Sequence, residues 1–350
     1  MPLNAQQLVA GANYQLMSYA QGDPIDQINH DKPLMKWFVE KKKENIFGNG
    51  IFNEKVRISN DSNYQNYTGD QQVTYNRRDT VRLAPYQHYE AFDGFSLNET
   101  DLANNGINMT DDEDAEMTDA EKIQIVDILR ENYETLKLGF QQQWDLEIHQ
   151  NGTQNALAVP GLDAIVSTTP GTGVVGGLDP AVWSFWQNNA AMGISTATPG
   201  TLSTTMEQMW RACTLFGGLR PDAIFCGQKF LDAYRTEVQS TITRMLVVKD
   251  SGKQDMAGGV ETLYFKSLPV IWDPQMDQLD EILGTITYPW TKRCYFLQSK
   301  SIKLRAVKGR WMVKRKPPRM YDRFTHYFGV TADYSITCNK RNSMAVMSIL

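Results

Sequence analysis

The chain has 350 residues, a formal net charge of −5 and a pI near 5.5, with 41% hydrophobic residues. That length allows about two domains with ample core, and the mild acidity argues against a dedicated nucleic-acid binder, whose affinity comes from neutralising phosphates. Cys213, Cys226, Cys294 and Cys338 lie far apart with no C-x-x-C spacing, the opening residues lack a signal-peptide pattern, and no apolar run reaches the ~18 residues of a membrane span. A reducing compartment is therefore expected, with no membrane contact.

Residues 1–45 read as an arm. Pro24 and Pro33 interrupt it, and Leu34, Trp37 and Phe38 give one short apolar stripe before Glu40-Lys41-Lys42-Lys43-Glu44. So few apolar residues cannot form a core of their own. The next segment, from residue 46 to about 95, reads as β-structure, also without a core. Val56-Arg57-Ile58, Val73-Thr74-Tyr75 and Val81-Arg82-Leu83 are strand-like, and a polar tract from Asn60 to Tyr67 separates the first two. This predicts a long two-stranded ribbon with a polar tip, which must rest on another surface because an isolated hairpin is marginal in water. An ordinary meander in a larger sheet is the other reading.

Residues 118–150 predict one long helix. Thr118-Asp119-Ala120-Glu121 fits a capping box, and Asp111, Asp112, Glu113, Asp114, Glu116 and Asp119 crowd its positive end. Ile125, Leu129, Tyr133, Leu136, Phe140 and Trp144 recur at steps of four or three along one face. Only Gly139 weakens the run, and Asn151-Gly152 supplies a stop. At 1.5 Å per residue the rod is roughly 50 Å long.

From Gly152 to Thr204 the chain is rich in Gly, Thr, Ser, Pro and Asn, with a strand candidate at Leu162-Asp163-Ala164-Ile165-Val166 and an aromatic knot at Trp183, Phe185 and Trp186. Packed loops are expected there. An α/β pattern follows. Thr204-Thr205-Met206-Glu207 reads as a second capping box, with Met206, Met209, Trp210, Cys213 and Phe216 inward and Gly217-Gly218 as the stop. Asp222 to Cys226, Val260 to Phe265 and Leu268 to Trp272 read as strands, and Gln228 to Gln239 as a helix. The last sixty residues or so read as β: Tyr295 to Leu297, Ile302 to Arg305, Trp311 to Val313, then an alternating, half-buried strand over Val330 to Cys338.

Few motifs carry chemistry. Gly171-Thr172-Gly173-Val174-Val175-Gly176 has the spacing of a dinucleotide loop, but Asp179-Pro180 interrupts at once and no acid lies between Asp179 and Glu207 for a ribose. His30, His88, His149 and His326 have no partner histidine at ligand spacing. No nucleophile elbow or calcium loop occurs, so neither catalysis, cofactor nor metal is expected. One asymmetry stands out. Twelve Lys or Arg lie between Lys292 and Arg323 against one acid, and twelve acids lie between Glu99 and Glu134 against Lys122 and Arg130. The basic stretch faces nucleic acid, the acidic stretch of a neighbouring copy, or solvent.

The order of arm, ribbon, long helix, α/β domain and returning basic sheet resembles the major capsid proteins of tailed double-stranded DNA bacteriophages. So do Gly161-Leu162-Asp163-Ala164-Ile165-Val166, Val175-Gly176-Gly177-Leu178-Asp179, Trp183-Ser184-Phe185-Trp186 and the closing Ile336 to Asn342. The resemblance implies an α+β fold: an N-terminal arm (1–45), an extended β-ribbon loop (46–100), a peripheral domain (101–155 and 293–334) around the spine helix, and a mixed α/β axial domain (156–292 and 335–350). It also implies pentamers and hexamers of the chain itself, closing a virion shell around double-stranded DNA held by non-specific contacts. Assembly would take place in the bacterial host cytoplasm, with portal, decoration and scaffolding proteins as partners. The scaffold is expected as a separate protein or already cleaved away. Residues expected at contacts between copies are Asp111, Asp112, Glu113 and Asp114 on the acidic side, with Lys303, Arg305, Lys308, Arg310, Lys314 and Arg315 on the basic side. Lys55 is the only lysine between Asn45 and Glu121, at the ribbon base, so the Lys–Asn cross-links of some family members are not expected. Competing readings are an encapsulin-like cargo compartment, a nucleotide-binding enzyme using residues 171–177, and a DNA-packaging protein using residues 292–323.

Overall fold

A computed structural model describes residues 30–41, 43–45, 50–60, 62–104, 119–241, 263–284, 286–317 and 324–350. In chain order its elements are α1 (Pro33–Glu40), β1 (Lys43–Asn45), β2 (Ile51–Arg57), β3 (Val81–Gln87), β4 (Tyr89–Asn98), α2 (Glu99–Asn104), α3 (Asp119–His149), α4 (Leu162–Ile165), β5 (Asn189–Ile194) and α5 (Thr201–Leu215). There follow β6 (Ala223–Cys226), α6 (Gln228–Thr241), β7 (Leu263–Phe265), β8 (Leu268–Trp272), α7 (Pro274–Leu283), β9 (Arg293–Leu297), β10 (Ile302–Val307), β11 (Val313–Arg315), β12 (Thr325–Cys338) and β13 (Ala345–Ile349). The described residues group into two compact units. The smaller draws mainly on Glu90–Trp144 and Gly309–Ala332, and the larger on Asp31–Tyr89, Asp145–Lys308 and Asp333–Leu350. α3 and β12 run through both.

In the smaller unit the expected spine helix is present as 31 residues. Its stripe buries Leu136, Phe140 and Trp144. Tyr133 packs edge-on against Phe95 of β4 at 5.3 Å, Phe95 stacks on Phe328 of β12 at 5.2 Å, and Trp144 meets Trp311 at 5.3 Å. Each such pair contributes about 0.5–1.5 kcal/mol beyond its buried area. β4 and β11 both pair with β12. The expected strand over 311–313 starts instead at Val313, because Met312 takes a positive φ of 53° and turns the chain. The capping box lies partly outside the described residues, since Thr118 is not among them.

The larger unit is built on a six-stranded sheet in the order β5-β13-β9-β6-β8-β7. One core cluster unites Ile224, Cys226, Val270, Cys294, Phe296 and Met347 from the sheet with Leu202, Met206, Cys213, Phe230 and Tyr234 from α5 and α6. β9 pairs with both β6 and β13, so residues 293–308 belong to this unit and not, as expected, wholly with the spine helix. β10 pairs with β12 over Ala306↔Tyr334 to Ile302↔Cys338, and β1 lies parallel to β10.

Several expectations need correction. Residues 162–165 form a helical turn, not a strand, and Asp163 in it accepts from Arg293 at 3.0 Å. α5 starts at Thr201, ahead of the expected capping box. The Glu237 carboxylate, on α6, caps it by accepting from the backbone of Leu202 at 3.0 Å and Ser203 at 2.7 Å. β12 is buried on both faces beyond Phe328, with only Thr331 part-exposed, so it is not the half-exposed strand that alternation predicts.

Candidate assembly surfaces

The expected ribbon forms between β2 and β3. β2 and β3 pair antiparallel over Ile51↔Gln87 to Arg57↔Val81. Beyond them the two arms stay joined by Ile58 donating to the Thr80 carbonyl at 3.0 Å, Ser59 to that of Asp79 at 2.9 Å, and Gln65 to Thr74 at 2.9 Å. Val73-Thr74-Tyr75 forms no strand, contrary to expectation, because side chains rather than a backbone ladder hold the tip together. Tyr64, Tyr67 and Tyr75 stand 81%, 69% and 91% exposed there. Aromatic rings so open to water find no burial among the described residues.

The ribbon base is fixed firmly. Alternation in β2 turns Phe52, Glu54 and Val56 inward. Glu54 Oε1 accepts from Arg305 Nε at 2.9 Å and from the Thr337 hydroxyl at 3.0 Å, while Lys303 Nζ stands 3.9 Å from Oε2. These side chains are nearly buried, so two cations share one carboxylate in a poor solvent for charge. On β3, Tyr86 donates its hydroxyl to the Cys338 carbonyl at 2.9 Å, and burial pushes its pKa well above the ordinary tyrosine value. The glycine-rich loop seats this tyrosine: a Cβ at Gly176, whose φ is +58°, would stand 2.9 Å from the Tyr86 ring. Trp186 Nε1 ties the loop down by donating to the Val175 carbonyl at 2.9 Å. Where a dinucleotide loop needs open glycines at a helix start, the last of these three is packed against the chain's own ring.

The basic residues named from the sequence therefore divide. Lys303 and Arg305 are held inside the chain by Glu54. Lys308, Arg310, Lys314 and Arg315 are exposed. Lys314 Nζ lies 4.6 Å above the Tyr133 ring and Arg315 Nε donates to Thr331 at 3.0 Å, so both head groups are ordered at the surface of the smaller unit. Arg293, also in the basic stretch, is buried, bonded to Asp163 and stacked 4.2 Å from the Trp290 ring. Asp111, Asp112, Glu113 and Asp114 lie outside the described residues. Lys55 is exposed on the face of β2 opposite Glu54.

A buried charge cluster escaped the sequence reading. His149, at the end of α3, meets the carbonyl of Asp145 through Nδ1 at 2.6 Å and Asp273 Oδ2 through Nε2 at 3.1 Å. Burial disfavours its charge, but the Asp273 carboxylate, with Asp145 beside it, outweighs burial and lifts the pKa to about 9. Asp273 also caps α7, accepting from the Gln275 backbone at 3.1 Å. A residue pair 124 positions apart carries no local signal. Among the described residues no group of His, Cys, Asp or Glu is arranged to hold a metal, and no helix is long and apolar enough to cross a membrane.

No protein-family model matches the sequence, and no curated protein does. Solved structures do match. A chain of the Cyanophage A-1(L) capsid aligns with a TM-score of 0.62 at 12% identity, over 94% of this chain and 96% of that one. The capsid of Cyanophage P-SCSP1u gives 0.56 at 9% identity, over 94% and 91%. A chain of Gordonia phage Cozz gives 0.53 at 11% identity, over 94% and 89%. At such identities the likeness is one of fold.

Proposed function

We propose, for a chain that has the α+β fold of tailed-phage major capsid proteins, a structural role: self-assembly as pentamers and hexamers into an icosahedral shell enclosing double-stranded DNA. The observation that carries this reading is the ribbon. Its base is welded by buried charges, while its tip presents exposed tyrosines that the described residues do not cover. A rigidly rooted, unpartnered ribbon suits a subunit whose neighbours complete it, as in obligate interfaces of large area. The alignment over nearly the whole chain with phage capsid subunits supports the same reading. The virion is then the location, assembly takes place in the host cytoplasm, and a scaffold, a portal and decoration proteins are further partners. Contacts between copies join the acidic segment at Asp111, Asp112, Glu113 and Asp114 to the exposed Lys308, Arg310, Lys314 and Arg315, which sets register more than affinity.

Negative-stain microscopy of the purified chain, expressed alone and with candidate scaffolds from its own genome, tests the proposal. Uniform closed shells are expected. Small discrete oligomers under every condition overturn it. Extraction of nucleic acid from particles recovered from infected cells separates a genome container from a cargo compartment.

A further inference from the structure

The larger unit places two cysteines side by side. Cys226 on β6 and Cys294 on β9 are register partners in an antiparallel pair. The kind of pair follows from the neighbouring bond. Gly227 donates its backbone N–H to the Arg293 carbonyl at 3.0 Å, so 227 and 293 form a hydrogen-bonded pair. Alternation then makes Cys226 and Cys294 a non-hydrogen-bonded pair, the type whose Cα atoms stand only about 4.5 Å apart with side chains close. A disulfide requires roughly 4.4–6.8 Å between Cα atoms. Both side chains also point the same way, since both belong to the core cluster with Ile224 and Phe296. Cys213 and Cys338 have no such opposite number. Cys213 lies on a helix, and the register partner of Cys338 is Ile302.

We propose that Cys226 and Cys294 form an intrachain disulfide site, closed by a small-molecule disulfide of the oxidised-glutathione class once the chain meets an oxidising environment. The chemistry is thiol–disulfide exchange. The thiolate of one cysteine attacks a sulfur of the oxidant, forming a mixed disulfide and releasing one small thiol. The thiolate of the other then attacks the protein sulfur of that mixed disulfide and releases the second small thiol. Two protein thiols and one small disulfide become one protein disulfide and two small thiols, with no net change in protons or electrons.

Both thiols are fully buried, and burial pushes both pKa values up. Cys226 Sγ is turned to the Ile271 carbonyl of β8 at 3.6 Å. The closed sheet therefore shields the pair, and exchange proceeds only when β6 and β9 part or before they meet. A bridge here closes a loop of roughly 70 residues, enough to raise the melting temperature by about 5–10 °C. It joins two interior strands of the sheet, so it resists opening of the unit outside the reducing cytoplasm. None of this depends on the chain forming shells.

Peptide mapping of the full chain tests the site. The protein is refolded from denaturant in a reduced and oxidised glutathione couple, and in parallel the native protein is incubated with oxidised glutathione. Free thiols are then alkylated under denaturing conditions and the digest is read by mass spectrometry. The expected result is one linked peptide pair, Cys226–Cys294, forming readily on refolding and slowly in the native protein, with Cys213 and Cys338 alkylated. The melting temperature should rise and return on reduction, and Cys226→Ala should abolish both the link and the rise. Four alkylated cysteines after oxidative refolding, or links scrambled to Cys213 or Cys338, overturn the proposal.

Discussion

Single side chains in this molecule matter most where charge is buried. Replacing Glu54 by Gln leaves Arg305 and Lys303 without their shared carboxylate. The loss should be about 3 kcal/mol, the lower end of the range for broken buried pairs because Arg305 keeps some solvent; a urea titration of the unassembled chain reads it directly. His149 gives a pH signature. Its folded pKa of about 9 lies above the ordinary histidine value of 6.5, so its contribution is fully present below 6.5 and is lost as pH rises through 9. Asp145 acts in the same direction. Burial raises its carboxyl above 3.8, so ionisation on the way to neutral pH penalises the fold. Stability should therefore fall on going from about pH 6 to about pH 10, and His149→Gln should flatten the upper part of that fall. A urea midpoint constant across the range sinks the assignment.

At the scale of elements, α3 and the ribbon make opposite demands. Gly139 sits mid-helix and exposed, with nothing within 4 Å of an added Cβ. Gly139→Ala should stabilise the helix by about 0.5–1 kcal/mol, visible as a higher melting temperature. Among the described residues the ribbon tip makes only local hydrogen bonds, so deleting residues 62–78 and joining the arms by a short turn should leave the monomer's melting temperature within a degree or two of the parent. The same deletion should abolish shell formation in the microscope. These elements were legible because their signals are periodic: steps of three and four in α3, alternation in β2. Shorter elements were not. Leu162 to Ile165 has too few residues for a helix and a strand to differ in pattern. β13 is buried throughout and shows no alternation, which hid a central strand. α7 was missed although Asp273-Pro274 and Gly284 bracket it as cap, first-turn proline and stop. The cap that Glu237 supplies to α5 comes from 35 residues away, and no window along the sequence contains it.

On the scale of the whole molecule, part of the basic stretch is held inside the chain. Arg293, Lys303 and Arg305 answer to Asp163 and Glu54 within the chain, and under the proposed reading the exposed Lys308, Arg310, Lys314 and Arg315 also meet neighbouring copies. Reversing Asp112 and Asp114 to lysine should impair shell assembly by at least severalfold at physiological salt while leaving the melting temperature of the unassembled chain unchanged. Unaltered assembly, with unaltered salt dependence, would mean those acids only face water. One topological fact has a bearing on biosynthesis. β13 sits between β5 and β9 in the larger sheet, yet it is translated after both. At about 5–20 residues per second, the ribosome needs roughly 3–10 s to travel from the end of β9 to the end of β13. Throughout that interval two strand edges and an apolar face wait for a strand still being made. Crowded polysomes then hold many half-built sheets of one sequence at once. A chaperone that shields the edges of β5 and β9 during this delay would raise the yield of competent subunits without touching the finished protein.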